Sequence, residues 1–239
     1  VKSVLSEGAV DLLVSDHTQN MQSFVERAKK NSGMFESVCW VETKKYQDAL
    51  PMKNKRKYKN IALRQLKELG IVEKKYDKVF FANFDFFTGV LIKELCKLKK
   101  TKFCLFEDGL GMYCREEKQK FTSDRFKKMA KKILGKTSPG DYVTEFYVFR
   151  PECFEWDVPG KIVQIPSQID EELKKELNDV FMYESLKDTY GEKNIFFEDG
   201  FGEWGVREDL DVVKAIADIV GKENIFVKTH PRNAVNYYK

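Results

Sequence analysis

Apolar runs rich in β-branched and aromatic residues alternate along this chain with stretches whose apolar positions recur at helical spacing. A strand buried on both faces reads as a short continuous apolar run, and its crossover helix reads as an amphipathic one. The alternation therefore predicts βαβ units around a parallel sheet. Strands are expected at 10–15, 38–42, 78–83 and 102–107, with helices near 20–30, 59–69, 87–98 and 121–134. Between 138 and 166 the pattern breaks. Four of the six prolines, Pro139, Pro151, Pro159 and Pro166, fall in that window, which reads as irregular structure leading to a linker. A second alternation follows: helix 171–178, strand 194–198, helix 208–219 and strand 224–228. The expected fold is α/β with two Rossmann-like domains, residues 1–160 and 161–239, the second an incomplete start. No repeat of 20 to 50 residues supports a solenoid or propeller.

Composition sharpens this picture. With 239 residues, 42% hydrophobic and 33% charged, the chain has the apolar content of a packed domain rather than of a disordered one. The most apolar run, 79–87, already contains Asn83 and Asp85, so no segment reaches the roughly 18 uncharged apolar residues of a membrane span. Five cysteines (Cys39, Cys96, Cys104, Cys114, Cys153) include no C-x-x-C pair, and His17 and His230 are the only histidines. A structural zinc site is not expected, and reduced thiols among apolar neighbours fit a cytoplasmic protein. The net charge of +4 conceals lysine clusters at 53–59, 97–102 and 127–136. Such clusters make solvated helix faces or meet an anionic partner, such as the inner face of a membrane held peripherally. No RNA-recognition aromatic motif or helix-turn-helix signal accompanies them, so nucleic acid is not the expected partner. Val1 to Leu5 reads as the last turn of a helix already under way, and the closing Tyr237-Tyr238-Lys239 follows a strand with no closing helix. Both ends are expected to continue.

Three stretches carry candidate chemistry. In Phe106-Glu107-Asp108-Gly109-Leu110-Gly111 an apolar strand runs into two carboxylates and a glycine-rich turn. Side chains just beyond the carboxyl end of a parallel strand face the ligand crevice. Either Glu107 or Asp108 can act there as a general base, with Gly109 allowing close approach to the backbone. In Lys228-Thr229-His230-Pro231-Arg232 a second strand ends in a polar cluster suited to an anion. His230 can donate to a phosphate oxygen, Arg232 can clamp one bidentately, and Pro231 stiffens the turn. The third stretch, Glu198-Asp199-Gly200-Phe201-Gly202-Glu203-Trp204-Gly205, repeats the acidic-glycine turn ahead of a helix, where backbone amides can cradle phosphate. Neither a P-loop nor the G-x-G-x-x-G spacing is present. His17 follows the first strand, where it could line the cleft, and reads otherwise as a helix-entry residue beside the capping candidates Asp16 and Thr18.

Glu107-Asp108-Gly109 in a first Rossmann-like half followed by His230-Pro231 in a second resembles bacterial sialyltransferases of the GT-B fold. The likeness is to glycosyltransferase family 52, the lipooligosaccharide sialyltransferases, and to the related capsule polysialyltransferases. The resemblance implies an inverting, metal-independent transferase that moves sialic acid from CMP-sialic acid to a sugar hydroxyl of a surface glycan. It implies that Asp108 or Glu107 is the base and that His230 contacts the donor phosphate or acts as leaving-group acid. Gly200, Phe201, Gly202, Lys228, Thr229, Pro231 and Arg232 are then expected around the donor. No cofactor and no metal are implied, only a nucleotide-sugar donor and a glycan acceptor. The second acidic turn, and the lack of a Ser/Thr-rich segment after His230-Pro231, depart from the families' pattern. A UDP-sugar transferase and a CDP-polyol phosphotransferase are the rival readings within the enzyme class. A non-catalytic module for anionic surfaces is the rival outside it, and would show steeply salt-dependent binding.

Overall fold

The computed structural model describes residues 8–17, 21–30, 33, 35–44, 54–98, 100–109, 112–113, 137–154, 158, 160–185, 193–198 and 208–229. In chain order the elements are β1 (Asp11–Ser15), α1 (Met21–Lys30), β2 (Ser37–Val41), α2 (Lys55–Glu68), β3 (Lys78–Phe81), α3 (Phe86–Leu95), β4 (Lys102–Phe106), β5 (Val143–Val148), β6 (Lys161–Gln164), α4 (Glu171–Phe181), β7 (Asn194–Phe197), α5 (Glu208–Val220) and β8 (Ile225–Lys228). The fold is mixed α/β with parallel ladders, as the alternation of patterns implies. The helix expected at 121–134 lies outside the described residues. Two compact units form, and neither is one continuous stretch. Val1–Ala9 groups with Val41–Leu173, and Val10–Trp40 with Lys174–Lys239.

The first of these units is built on a four-stranded sheet in the order β3-β4-β5-β6, parallel throughout. α3 begins where the Asp85 carboxylate accepts the Thr88 amide at 2.6 Å, an N-cap that satisfies one of the helix's free donors. Phe87, Val90, Leu91, Ile92 and Leu95 of this helix are buried. α2 adds Ala62 and Leu66, both fully buried. Gln65 of α2 clamps the backbone of Glu42 in both directions, accepting from its amide at 2.9 Å and donating to its carbonyl at 3.1 Å.

The segment 138–166 is not the irregular linker that its prolines suggest. It holds β5 and β6, and β5 buries Val143, Phe146, Tyr147 and Val148 almost completely. Pro139 and Pro151 each open a short 3₁₀ turn (Pro139–Tyr142 and Pro151–Cys153) just outside the strand. There the missing N–H takes no bond from the ladder. The prolines thus bound the central strand rather than interrupt it. The last residue of the β5–β6 connection, Gly160, lies so near β5 that a Cβ would stand 2.5 Å from the Thr144 carbonyl oxygen. Only glycine permits that approach.

In the other unit, β1 and β2 form a hydrogen-bonded pair. Val14, Val25, Ala28, Val38 and Val180 make its core, joining α1 to the end of α4. The Arg27 Nε–H donates to the Val180 carbonyl at 2.7 Å, and the rings of Phe24 and Phe181 meet at 5.4 Å. β7 and β8 form a parallel pair, with Val213 and Ala217 of α5 buried beside it. Ile195, Phe197 and Phe226 share one face of that pair and are exposed.

Candidate active site

β4 ends at Phe106, and the Glu107 amide donates to the Tyr147 carbonyl at 2.9 Å, carrying the ladder to β5 one residue further. The chain then turns through Asp108 and Gly109. Gly109 takes a φ of +157°, and its carbonyl accepts the Met112 amide at 3.3 Å. A side chain at this φ is disfavoured, so the glycine is what lets the strand end in so tight a turn.

The two neighbouring carboxylates have different surroundings. Glu107 is half-buried, and its Oε2 accepts two hydrogen bonds, one from the Tyr113 hydroxyl and one from the Phe149 amide at 2.8 Å. The Tyr113 oxygen in turn accepts the Arg150 amide at 2.9 Å. The Tyr113 ring packs edge-on against Phe154 at 5.6 Å, and Phe154 against the buried Phe146 at 6.5 Å. Burial, with a smaller contribution from the bond to Glu107, pushes the Tyr113 hydroxyl pKa up, so it remains a donor. Oε1 of Glu107 has no partner among the described residues. Asp108 is exposed and likewise has none there. Among the described residues, one carboxylate is thus anchored by one oxygen, and its neighbour has no partner.

The same sheet carries a second carboxylate toward its amino end. Glu145 of β5 is buried, accepting from Lys102 Nζ at 2.8 Å and from the Tyr147 hydroxyl at 2.7 Å, with Lys78 Nζ at 3.1 Å. Lys78 also donates to the Tyr147 oxygen at 2.7 Å. Burial alone disfavours the charged form of Glu145. The bonds from Lys102, Tyr147 and Lys78 outweigh it and hold the carboxyl down at about 2. The bond to Tyr147, against the cost of desolvation and with help from Glu145, pushes the Lys78 ammonium up. Beside them burial, reinforced by Glu145, raises the Cys104 thiol to about 12, so it stays protonated and inert.

Of the donor-side residues expected from sequence, Lys228 ends β8 and Thr229 follows it. The Glu198 amide donates to the Lys228 carbonyl at 3.0 Å, which places the start of the second acidic turn beside the end of β8. This repeats what Glu107 does with Tyr147. Lys228 Nζ bonds the Thr229 carbonyl at 3.1 Å. His230, Pro231, Arg232, Gly200, Phe201 and Gly202 lie outside the described residues. His17 is exposed at the end of the β1 turn. Among the described residues no group of three or more His, Cys, Asp or Glu side chains is placed to hold a metal, and no helix is long and apolar enough to cross a membrane.

Sequence reading did not single out Tyr113, Phe149 or Arg150. Tyr113 stands six residues beyond Glu107, and a tyrosine just after a glycine turn was the only local signal available. Phe149 and Arg150 reach the turn only because β5 lies beside β4.

Over its whole length, residues 1–239, the chain matches the family described as Alpha-2,8-polysialyltransferase (POLYST). No individually curated protein matches it.

Proposed function

Because the chain belongs to the alpha-2,8-polysialyltransferase family, and so is a glycosyltransferase that moves sialic acid onto a glycan, we propose that its donor is CMP-sialic acid and that Glu107 is its general base. The fold proposed for the reaction is GT-B, with the acceptor approaching the Glu107–Gly109 turn. The acceptor is a surface glycan, capsule or lipooligosaccharide, reached at the inner face of the cell membrane. Glu107 takes the proton from an acceptor hydroxyl as that oxygen bonds to the anomeric carbon of sialic acid. The bond from that carbon to the CMP phosphate breaks, CMP leaves on the opposite face, and the configuration inverts. His230 and Arg232 meet the departing phosphate, with Gly200, Phe201, Gly202, Lys228, Thr229 and Pro231 around the nucleotide.

The observation that supports Glu107 over Asp108 is its anchoring. A base works best when its position is set before the substrate arrives. Two donors fix one oxygen of Glu107, whereas the Asp108 side chain is solvent-exposed and has no partner among the described residues. No metal is invoked. Asp108 is assigned to the turn and to contact with acceptor hydroxyls.

The test is a thermal-shift comparison of the chain with CMP, UDP, CDP and NAD, because a ligand that binds only the folded state raises its melting temperature. CMP is expected to stabilise most, and His230→Ala to abolish the shift. Preference for UDP or CDP would overturn the CMP-sialic acid donor while leaving a nucleotide-dependent transferase.

A further inference from the structure

We infer that Tyr113 is a positioning residue that holds Glu107 in place for proton abstraction; this rests on the reading of Glu107 as base. The Tyr113 hydroxyl sits between two partners, donating to Glu107 Oε2 and accepting the Arg150 amide. Phe149 N–H donates to the same oxygen of Glu107. The carboxylate that follows β4 is thereby joined to the first two residues beyond β5, through one side chain and two backbone amides.

Every donor in this arrangement is neutral. Among the described residues no Lys, Arg or His pairs with Glu107. Among the described residues, Asp108 follows it in the chain and is exposed, and the Arg150 guanidinium is turned to Glu152 at 3.4 Å. Neutral donors fix a carboxylate's direction without neutralising it with a cation, which suits a group that must accept a proton. The ring of Tyr113 is seated independently, edge-on against Phe154. Its hydroxyl is therefore placed by packing that does not involve the acid turn, and deleting that one oxygen removes the brace while leaving the ring.

Measuring kcat and KM across pH with CMP-sialic acid and an oligosialic acid acceptor, beside the melting temperature of each variant, tests this role. Tyr113→Phe keeps the ring, loses the donor to Glu107 and leaves the Arg150 amide without its acceptor. It is expected to lower kcat roughly tenfold, the size of one hydrogen bond to a charged group, with the donor KM unchanged. The acidic limb of kcat/KM is expected at higher pH, because a carboxylate that has lost a donor holds its proton more tightly. Phe154→Leu loosens the ring's seat while keeping the hydroxyl; it is expected to lower the melting temperature and to move the limb less than Tyr113→Phe does. If Tyr113→Phe lowers the melting temperature alone, or if Phe154→Leu moves the limb equally, the positioning role is overturned. Glu107→Gln separates the two readings. Full activity there overturns the base assignment, whereas an inactive Glu107→Gln with an unmoved Tyr113→Phe limb overturns the role of Tyr113 by itself.

Discussion

Glu145 lies on β5 and Glu107 just beyond the carboxyl end of the neighbouring β4, and the two have opposite surroundings. Glu145 is buried against two lysines and a tyrosine that hold its carboxyl at about 2. Among the described residues, Glu107 has a tyrosine hydroxyl and a backbone amide on one oxygen, no cation, and no partner on its second oxygen. A carboxylate neutralised by cations is a structural charge, since it is too weak a base at neutral pH to take a proton. The sheet therefore uses ion pairing to close its amino end and neutral hydrogen bonds to present an acid at its carboxyl end. That division agrees with the rule that open parallel sheets bind ligands beyond the carboxyl ends of their strands.

Removing each charge in turn separates the two roles. Glu107→Gln is expected to lower sialyl transfer by about 10² to 10⁴-fold while the melting temperature stays near that of the parent. Glu145→Gln should do the reverse, costing about 3 kcal/mol of stability by leaving two cations around a neutral amide, with turnover per folded molecule preserved. Urea unfolding and an activity assay on both variants decide this, and loss of turnover without loss of stability in Glu145→Gln would defeat it.

Acid sharpens the contrast with a smaller effect. The carboxyl of Glu145 is depressed on folding, so its contribution is fully present above the ordinary carboxylate range and is lost as pH falls from about 4.5 toward 2. Roughly 2 kcal/mol should disappear across that window, less than the full shift implies because Lys102 is half exposed and screened. Glu145→Gln should flatten that part of the stability profile. At the small end, Asp85→Ala removes the α3 cap and is expected to cost about 1 kcal/mol, seen in the same unfolding curves, with no effect on the acidic limb of turnover.

Much of this was legible from local pattern. The strands at 78–83 and 102–107 and the helix at 87–98 were readable because side-chain period and turn residues act over a few positions. The acidic turn was readable for the same reason, since an apolar run meeting Glu107-Asp108-Gly109 needs no distant partner to be noticed. β5 was missed because prolines flank it on both sides, and a proline's effect depends on whether its missing N–H belongs to a ladder. The uneven status of the acidic pair was also hidden. Adjacent carboxylates look alike in sequence, and nothing local tells which will be braced.

The sequence by itself determined the α/β alternation, the family and the position of an acidic glycine turn at a strand end, all of them properties of short stretches or of their order. Tertiary structure alone decided which carboxylate is anchored and which is neutralised. Glu107 is held by Phe149, 42 residues away, and Glu145 by Lys102, 43 residues away. Such partners meet only when parallel strands distant in the chain become neighbours. The character of each acid is therefore set by strand order and register, not by the residues beside it.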